Sequence, residues 1–290
     1  MDQGLSSYAT VKISHDDTFT VRFLYDNPLG RMLLKVLIKP TISKLAGHVL
    51  NSPASRVFIK GFIKRNYIDM EECIKVKYKS FNDFFVRELK SGSRSFPSDE
   101  NILAAPCDGK LTAYQITADS VFNIKNSEYS VSELLADSEL ATEFESGICL
   151  IFRLSPDDYH RYSFIDDGEI VCSRTIPGVL HTVRPISQKT HKVYSQNARE
   201  YALIQTNNFG SIVQMEVGAL FVGRITNKTE NRTVIRGDEK GMFQFGGSTV
   251  VLLLQKDRVE INEVIYENTR NDYETIVKMG SQIGIKKTCI

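Results

Sequence analysis

The stretch Gly246-Gly247-Ser248 joins residue types that could break their own peptide bond. Glycine has no Cβ, so the Ser248 hydroxyl can turn back onto the Gly247 carbonyl. If a base removes the hydroxyl proton, the peptide can shift to an ester, and β-elimination would then cut the chain and leave dehydroalanine. Hydrolysis gives a pyruvoyl group, an electrophilic ketone that could do the amine chemistry of pyridoxal phosphate. The same residues also fit a glycine hairpin between two strands.

A candidate base lies in the segment Asp157-Asp158-Tyr159-His160-Arg161. It follows the apolar run 148–154, which predicts a buried strand. A histidine with an unperturbed pKa of about 6.5, placed between a carboxylate and an arginine, suits proton transfer. Further back, Asp108-Gly109 is a turn signal between strands. Taken singly, His160 fits a surface histidine and Asp108 fits a turn former, so neither alone identifies a site.

Composition places the chain among ordinary globular proteins, with 290 residues of which 42% are hydrophobic and 24% charged. No apolar run reaches the length needed to span a bilayer, and the first residues do not predict a secretory signal. The five cysteines are dispersed without metal spacing. We therefore expect free thiols in a reducing compartment and no metal site.

A basic block lies between Arg31 and Arg65, with eight Lys or Arg residues and no Asp or Glu in a chain of net charge +1. Helical patterns over 29–39, 42–50 and 55–65 combine broad apolar faces with lysines. Such helices can lie in a membrane interface, where anionic lipid attracts each basic residue by about 1 kcal/mol. They could equally pack on the core and expose solvated lysines. Nucleic acid is not expected as a partner, because the basic residues alternate with aliphatic rather than aromatic side chains.

The remaining pattern predicts an α+β fold, in which N-terminal amphipathic helices precede a largely antiparallel, β-rich catalytic domain. The loop over 91–100 marks the boundary. We expect an N-terminal helical, membrane-associating region over 1–95 and the catalytic domain over 96–290. Residues 1–24 predict a β-hairpin, and 272–279 predict a helix.

Taken together, motifs in this chain resemble the phosphatidylserine decarboxylase family of pyruvoyl enzymes. The resemblance extends from about residue 28 to 279, and it depends on six motifs in the family's order. The motifs are Ser80-Phe81-Asn82-Asp83-Phe84-Phe85-Val86-Arg87, Pro106-Cys107-Asp108-Gly109, Asp158-Tyr159-His160-Arg161, Gly178-Val179-Leu180-His181-Thr182-Val183, Val217-Gly218-Ala219 and Gly246-Gly247-Ser248-Thr249.

The resemblance implies a proenzyme that cuts itself between Gly247 and Ser248. The pieces 1–247 and 248–290 would stay together as a heterodimer, and Ser248 would become the covalent pyruvoyl cofactor. Asp108, His160 and Ser248 would form the relay that drives the cut, with Asp108 orienting the imidazole. The implied substrate is phosphatidylserine, and the products are phosphatidylethanolamine and carbon dioxide. Because the substrate is an anionic lipid, we expect a peripheral enzyme on the cytoplasmic side of the cell membrane.

One position departs from the family pattern. Many members carry a second histidine three residues after the first, where this chain has Ser163. Three interpretations stay open: His160 serves both cleavage and decarboxylation, Ser163 holds a water that replaces the histidine, or His181 contributes. Gly246 also replaces the usual aliphatic residue before the cleavage motif.

Two other functions remain open at this point. An uncleaved relative could bind lipid without catalysis, because Ser163 has replaced a needed base. Alternatively, a pyruvoyl enzyme could decarboxylate a soluble amino acid, although the basic block argues against this. The sequence leaves open whether the protein forms a homodimer.

Overall fold

The computed structural model describes most of the chain. The described residues are 8–13, 19–124, 127–188, 191–220, 224–228, 232–246 and 248–288. The expected hairpin tip at 15–17, the residue Gly247 and Cys289 lie outside them. The architecture is α+β, as the sequence predicts.

Helices dominate the N-terminal part and are short elsewhere. They are α1 (Phe19–Asp26), α2 (Pro28–Leu37), α3 (Pro40–Asn51), α4 (Val57–Asn66), α5 (Phe81–Phe85), α6 (Val131–Leu135), α7 (Ser138–Thr142), α8 (Pro185–Gln188), α9 (Val193–Gln196) and α10 (Glu263–Arg270), with a 3-10 helix at Pro53–Arg56.

Strands make up most of the remainder. They are β1 (Thr10–Lys12), β2 (Ile102–Ala104), β3 (Gly109–Gln115), β4 (Val121–Ile124), β5 (Ser127–Ser130), β6 (Ile148–Leu154), β7 (Arg161–Ser163), β8 (Gly168–Ile176), β9 (Arg199–Thr206), β10 (Gly210–Gly218), β11 (Ile225–Asn227), β12 (Thr233–Val234), β13 (Glu239–Phe243), β14 (Ser248–Leu254), β15 (Val259–Ile261), β16 (Tyr273–Val277) and β17 (Gln282–Lys286).

The largest sheet is antiparallel, with the strand order β1-β16-β3-β6-β14-β10-β9-β8-β12. Strand β14 lies near its centre, between β6 and β10, and every residue of β14 is buried. Its continuous apolar run, Val250 to Leu254, therefore contributes to the core on both faces. This places the residue that begins β14 at the end of the most buried strand.

A smaller sheet with the order β11-β13-β7 lies against one face of the large sheet. The Gln214 side chain of β10 donates to the Ser163 carbonyl of β7 over 3.1 Å. Lys240 of β13 contacts Glu216 of β10. Two further small sheets, β15-β17-β2 and β4-β5, complete the strands.

The N-terminal helices begin at residues that favour helix starts. The Asn27 side chain accepts from the backbone N–H of Leu29 and Gly30, and Pro28 occupies the first helical position of α2. Pro40 likewise occupies the first helical position of α3. These bounds lie close to the predicted helices. No helix among the described residues is both long and apolar enough to cross a bilayer.

Two local predictions are wrong. Residues 19–23, expected as a strand, lie in α1, where Leu24 and Tyr25 become buried against α2 and Ile186. Residues 273–277, expected as a helix, form β16, which pairs with β1 and β3. In both places tertiary partners outweigh a weak local pattern. The pairing of β1 with β16 also brings residues 10–12 into the large sheet.

Candidate active site

Ser248 is the first residue of β14. It lies directly opposite Gly218 of β10 and Leu154 of β6. The residue is fully buried, and its Oγ has no hydrogen-bond partner among the described residues. Two positions earlier, Gly246 has φ of +139°, a backbone conformation that side-chain-bearing residues rarely adopt. A backbone conformation that favours glycine therefore precedes a buried hydroxyl that has no hydrogen-bond partner among the described residues.

His160 comes directly before β7 and is also fully buried. Its backbone carbonyl accepts from the N–H of Phe243 over 2.9 Å, which ties it to the segment that leads to Ser248. Its Nδ1 lies 2.9 Å from the Asp158 carbonyl oxygen. Because a carbonyl can only accept, Nδ1 must carry the hydrogen, and Nε2 keeps its lone pair. Nε2 is buried and has no partner in the described part of the chain.

The surroundings of His160 keep the imidazole neutral. Burial is the main cause that lowers its pKa to about 3, and the charge of Arg87 adds to the effect. Arg87 is itself buried, and its Nη2 lies 3.3 Å from the carbonyl oxygens of both Asp157 and Asp158. The Asp158 carbonyl thus accepts hydrogen bonds from the side chains of both His160 and Arg87. Arg87 lies in a motif that the sequence singles out, but the pattern does not predict this contact.

Asp108 is held by Arg94 in a bidentate ion pair, with distances of 2.8 Å and 2.6 Å. Its Oδ1 also accepts from the N–H of Met279 over 2.8 Å. The Ser163 hydroxyl lies 3.3 Å from the sulfur of the same Met279. Among the described residues, no hydrogen bond joins Asp108 to His160. The structure therefore groups Asp108 with Arg94 and places Ser163 beside them, and the relay stays a prediction.

His181 lies in a different cluster. Its Nδ1 is 3.1 Å from the Tyr25 hydroxyl, and its ring stacks on His191 with centroids 4.0 Å apart. Burial, followed by the charge of His191, lowers the pKa of His181 to about 4. The described contacts join its side chain to the N-terminal helix α1 and not to His160 or Ser248.

Asn197 links the His181 loop to the strand opposite Ser248. Its Nδ2 donates to the carbonyls of His181 and Gly218, each over 2.8 Å, and its Oδ1 accepts from the His181 N–H. The residue is fully buried. The sequence does not mark Asn197, because a single asparagine before a strand is typical of a loop.

An aromatic cluster connects the N-terminal helices to the site. Phe245 packs edge-on against Phe81 and Phe85, with ring centroids 5.0 Å and 5.1 Å apart, and against Phe62 of α4. Phe85 in turn lies 4.1 Å from the His160 ring. Phe85 thus forms an apolar wall beside the imidazole, and Phe81 and Phe245 pack against Phe85.

A buried ion pair lies on the same face of the large sheet as Ser248. Antiparallel register places Gly218 opposite Ser248 and Glu216 opposite Val250, so these residues project from one face. Glu216 contacts Lys240 over 2.5 Å, and Asn227 donates to Glu216 and Glu200. Burial is the main cause that raises the pKa of Glu216.

Comparisons with known proteins show which family the chain belongs to. The family model described as phosphatidylserine decarboxylase matches residues 81–285. Phosphatidylserine decarboxylase proenzyme 2 of Clostridium acetobutylicum is 49% identical over 265 residues, which cover 91% of each chain. The proenzyme of Clostridium perfringens is 42% identical with 92% of each chain covered, and that of Clostridium tetani is 41% identical with 98% of this chain and 96% of its own covered. The chain therefore belongs to the phosphatidylserine decarboxylase family.

Proposed function

We propose that this chain decarboxylates phosphatidylserine to phosphatidylethanolamine and carbon dioxide, using a pyruvoyl group made from Ser248. The observation that supports this best is a pair of buried, unpartnered atoms, the Ser248 Oγ and the His160 Nε2. Burying a polar group without a partner costs about 1–3 kcal/mol, and a catalytic role is one explanation for such a group in a native structure. The family and the relatives' names supply the substrate.

Cleavage would begin when His160 Nε2 accepts the Ser248 hydroxyl proton. The Oγ then adds to the Gly247 carbonyl carbon, and the C–N bond breaks as the Ser248 nitrogen takes up the proton. Removal of the Ser248 Cα proton expels the Gly247 carboxylate and leaves dehydroalanine. Its hydrolysis releases ammonia and produces the pyruvoyl group. The Asp158 carbonyl holds Nδ1–H throughout, so only Nε2 can act as the base.

The residues around Ser248 fit this cofactor. The pyruvoyl ketone would supply an electron sink for the electrons that remain when carbon dioxide leaves. Phe85 and Phe245 exclude water from the imidazole side of the site. His160 is the group that we propose for proton transfer in both cleavage and decarboxylation. Asp108 stays in the proposed relay, and Ser163 and His181 stay auxiliary candidates.

The N-terminal helices supply a surface for the bilayer. On α2 and α4, Leu29, Met32, Val57 and Phe58 are all more than half exposed. Exposed lysines accompany them, and the block from Arg31 to Arg65 contains no carboxylate. We propose that this surface docks on the anionic cytoplasmic side of the cell membrane. The aromatic cluster then connects the docked helices to His160.

Intact-mass measurement of the purified full-length protein tests the proposal. We expect two pieces, 1–247 and 248–290, the smaller lacking a free amino terminus, together with release of carbon dioxide from vesicles that contain carboxyl-labelled phosphatidylserine. The Ser248→Ala variant should stay whole and inactive. A single uncut chain that binds vesicles without turnover would instead support a lipid-binding relative. Turnover of free serine without vesicle binding would support a soluble amino acid decarboxylase.

A further inference from the structure

A cavity of about 630 Å³ lies on the face of the large sheet that carries Glu200 and Gly218. Thr175 of β8 and Glu200 of β9 line one side, residues 224–228 line another, and Pro40 and Lys44 of α3 lie at its edge. This volume falls within the range of about 300–1,000 Å³ that is typical of small-molecule sites. None of the cleavage chemistry described above uses this cavity.

The cavity lies next to Ser248. Gly218, one of its lining residues, is directly opposite Ser248 in the sheet, and paired Cα atoms in antiparallel strands are about 4.5–5.5 Å apart. Gly218 has no side chain. At this position of the strand pairing, no side chain of β10 therefore lies between Ser248 and the cavity. A Cβ on Gly218 would lie 3.1 Å from a methyl group of Leu180, another lining residue. The Leu180 side chain therefore packs over Gly218 and forms the cavity wall there, and the Gly218 backbone lies about one strand spacing from the proposed reacting residue.

The lining is strongly cationic. Among the described residues it includes six Lys or Arg side chains and one carboxylate, that of Glu200. Four of the cations are already engaged: Arg174 with Asp137, Arg199 with backbone carbonyls, Lys228 with Glu239 and Lys240 with Glu216. Lys44 and Arg224 are exposed and have no ion pair in the described part of the chain. The lining therefore favours an anionic ligand whose negative charge would contact the Lys44 and Arg224 side chains.

We propose, building on the function proposed above, that this cavity binds the phosphoserine head group of the lipid, with Lys44 and Arg224 on the phosphate. The mouth supports a lipid rather than a soluble ligand. Lys44 is followed on α3 by Leu45, which is 63% exposed, and Val49 lies one turn further on and is also exposed. The phosphate would thus sit beside an apolar helix surface, with the serine end directed toward Gly218 and Ser248.

Binding to the uncut Ser248→Ala protein tests this without any catalytic step. The probe is dihexanoyl phosphatidylserine below its micelle concentration, measured by calorimetry. We expect Lys44→Ala and Arg224→Ala each to weaken binding about tenfold, since a charge-assisted contact contributes about 1.5 kcal/mol. Thr175→Trp, at an exposed cavity-lining position, should abolish binding by filling the space. Lys256→Ala, an exposed cation outside the lining, is the matched control.

Two outcomes would overturn the assignment. Unchanged affinity in all three cavity variants would show that the head group binds elsewhere. Equal affinity for inorganic phosphate and for the lipid would show an anion site that does not recognise the lipid. Both outcomes are independent of cleavage. A wild-type protein that stays uncut would refute the proposed function. A wild-type protein that cuts itself normally, together with either of the two binding outcomes above, would refute only the cavity assignment.

Discussion

The Nδ1–H of His160 donates to the backbone carbonyl of Asp158 over 2.9 Å, rather than to a carboxylate. This contact selects the tautomer with a basic Nε2 without placing a negative charge beside the ring. Burial, followed by the charge of Arg87, which donates to the same carbonyl, lowers the pKa of the imidazole and keeps it neutral, although the hydrogen bond to the Asp158 carbonyl acts in the opposite direction.

His160→Gln should leave the chain uncut. Glutamine can donate from its amide to the Asp158 carbonyl, but it offers no basic nitrogen to Ser248. Loss of a general base slows a reaction by about 10²–10⁴-fold, so we expect cleavage to slow at least about a hundredfold. A time course of intact mass measures this. Normal cleavage in this variant would reassign the base.

Asp108→Asn tests the predicted relay separately from the fold. Asparagine is nearly the same size and can still accept from the Met279 N–H through its amide oxygen. If Asp108 acts in the relay, cleavage should slow while the circular dichroism spectrum stays that of the folded Ser248→Ala protein; the unfolding midpoint should fall, because the buried Arg94 loses its carboxylate partner. Cleavage at the normal rate would limit Asp108 to its contact with Arg94.

Arg94→Ala should strongly destabilise the protein. The side chains of Arg94 and Asp108 are each only 8% exposed, so removing the arginine leaves a buried carboxylate without its partner. Breaking a buried pair in this way costs about 3–5 kcal/mol. Urea unfolding in the Ser248→Ala background measures this loss in the free energy of unfolding. The control is Arg270→Ala, which breaks an exposed pair with Glu263 and should cost less than about 1 kcal/mol.

Stability should fall at acidic pH because of His160. Its pKa is about 3 in the folded protein, whereas the unfolded chain binds the proton below about 6.5. The unfolded state then holds more protons between these values, so the free energy of unfolding decreases as pH falls through this range, by about 1.4 kcal/mol per pH unit.

Unfolding of Ser248→Ala with and without His160→Gln, from about pH 7.5 to about pH 5.5, isolates this contribution. The pKa values of His181 and His191 are also lowered, and both residues are present in both proteins. The difference in pH dependence between the two proteins therefore measures the contribution of His160. The variant with glutamine should lose less stability on acidification. Parallel pH profiles would mean that His160 takes up a proton as readily in the folded protein as in the unfolded one.

Lys35→Ala combined with Lys60→Ala should weaken binding to vesicles of phosphatidylglycerol and phosphatidylcholine. Each basic residue near an anionic surface contributes about 1 kcal/mol, so the pair should reduce the partition coefficient about thirtyfold. Sedimentation with the vesicles measures this. The control pair, Lys256→Ala with Arg270→Ala, removes the same charge outside the N-terminal helices. Equal weakening by both pairs would contradict docking through these helices.

The sequence by itself determined the family, the order of the motifs and the general plan of helices before strands. Gly246-Gly247-Ser248 could be recognised because the chemistry needs adjacent residues. The helices over 28–66 could be recognised because their apolar periodicity is a local signal, to which α2 and α3 add a proline at the first helical position. The strand at 273–277 and the helix at 19–26 could not be predicted, because their partners, β1 and β3 in one case and Ile186 in the other, are far away in sequence.

Only the tertiary structure decided which groups meet. Asp108 meets Arg94 and the backbone of Met279, and His181 meets Tyr25 of α1. Neither pairing leaves a periodic or spacing signal. The tautomer of His160 likewise depends on a backbone carbonyl, which every residue possesses and no sequence pattern can mark. The register sets Gly218, a residue that lines the cavity, opposite Ser248, because strand pairing, and not the sequence of either strand alone, fixes that neighbour.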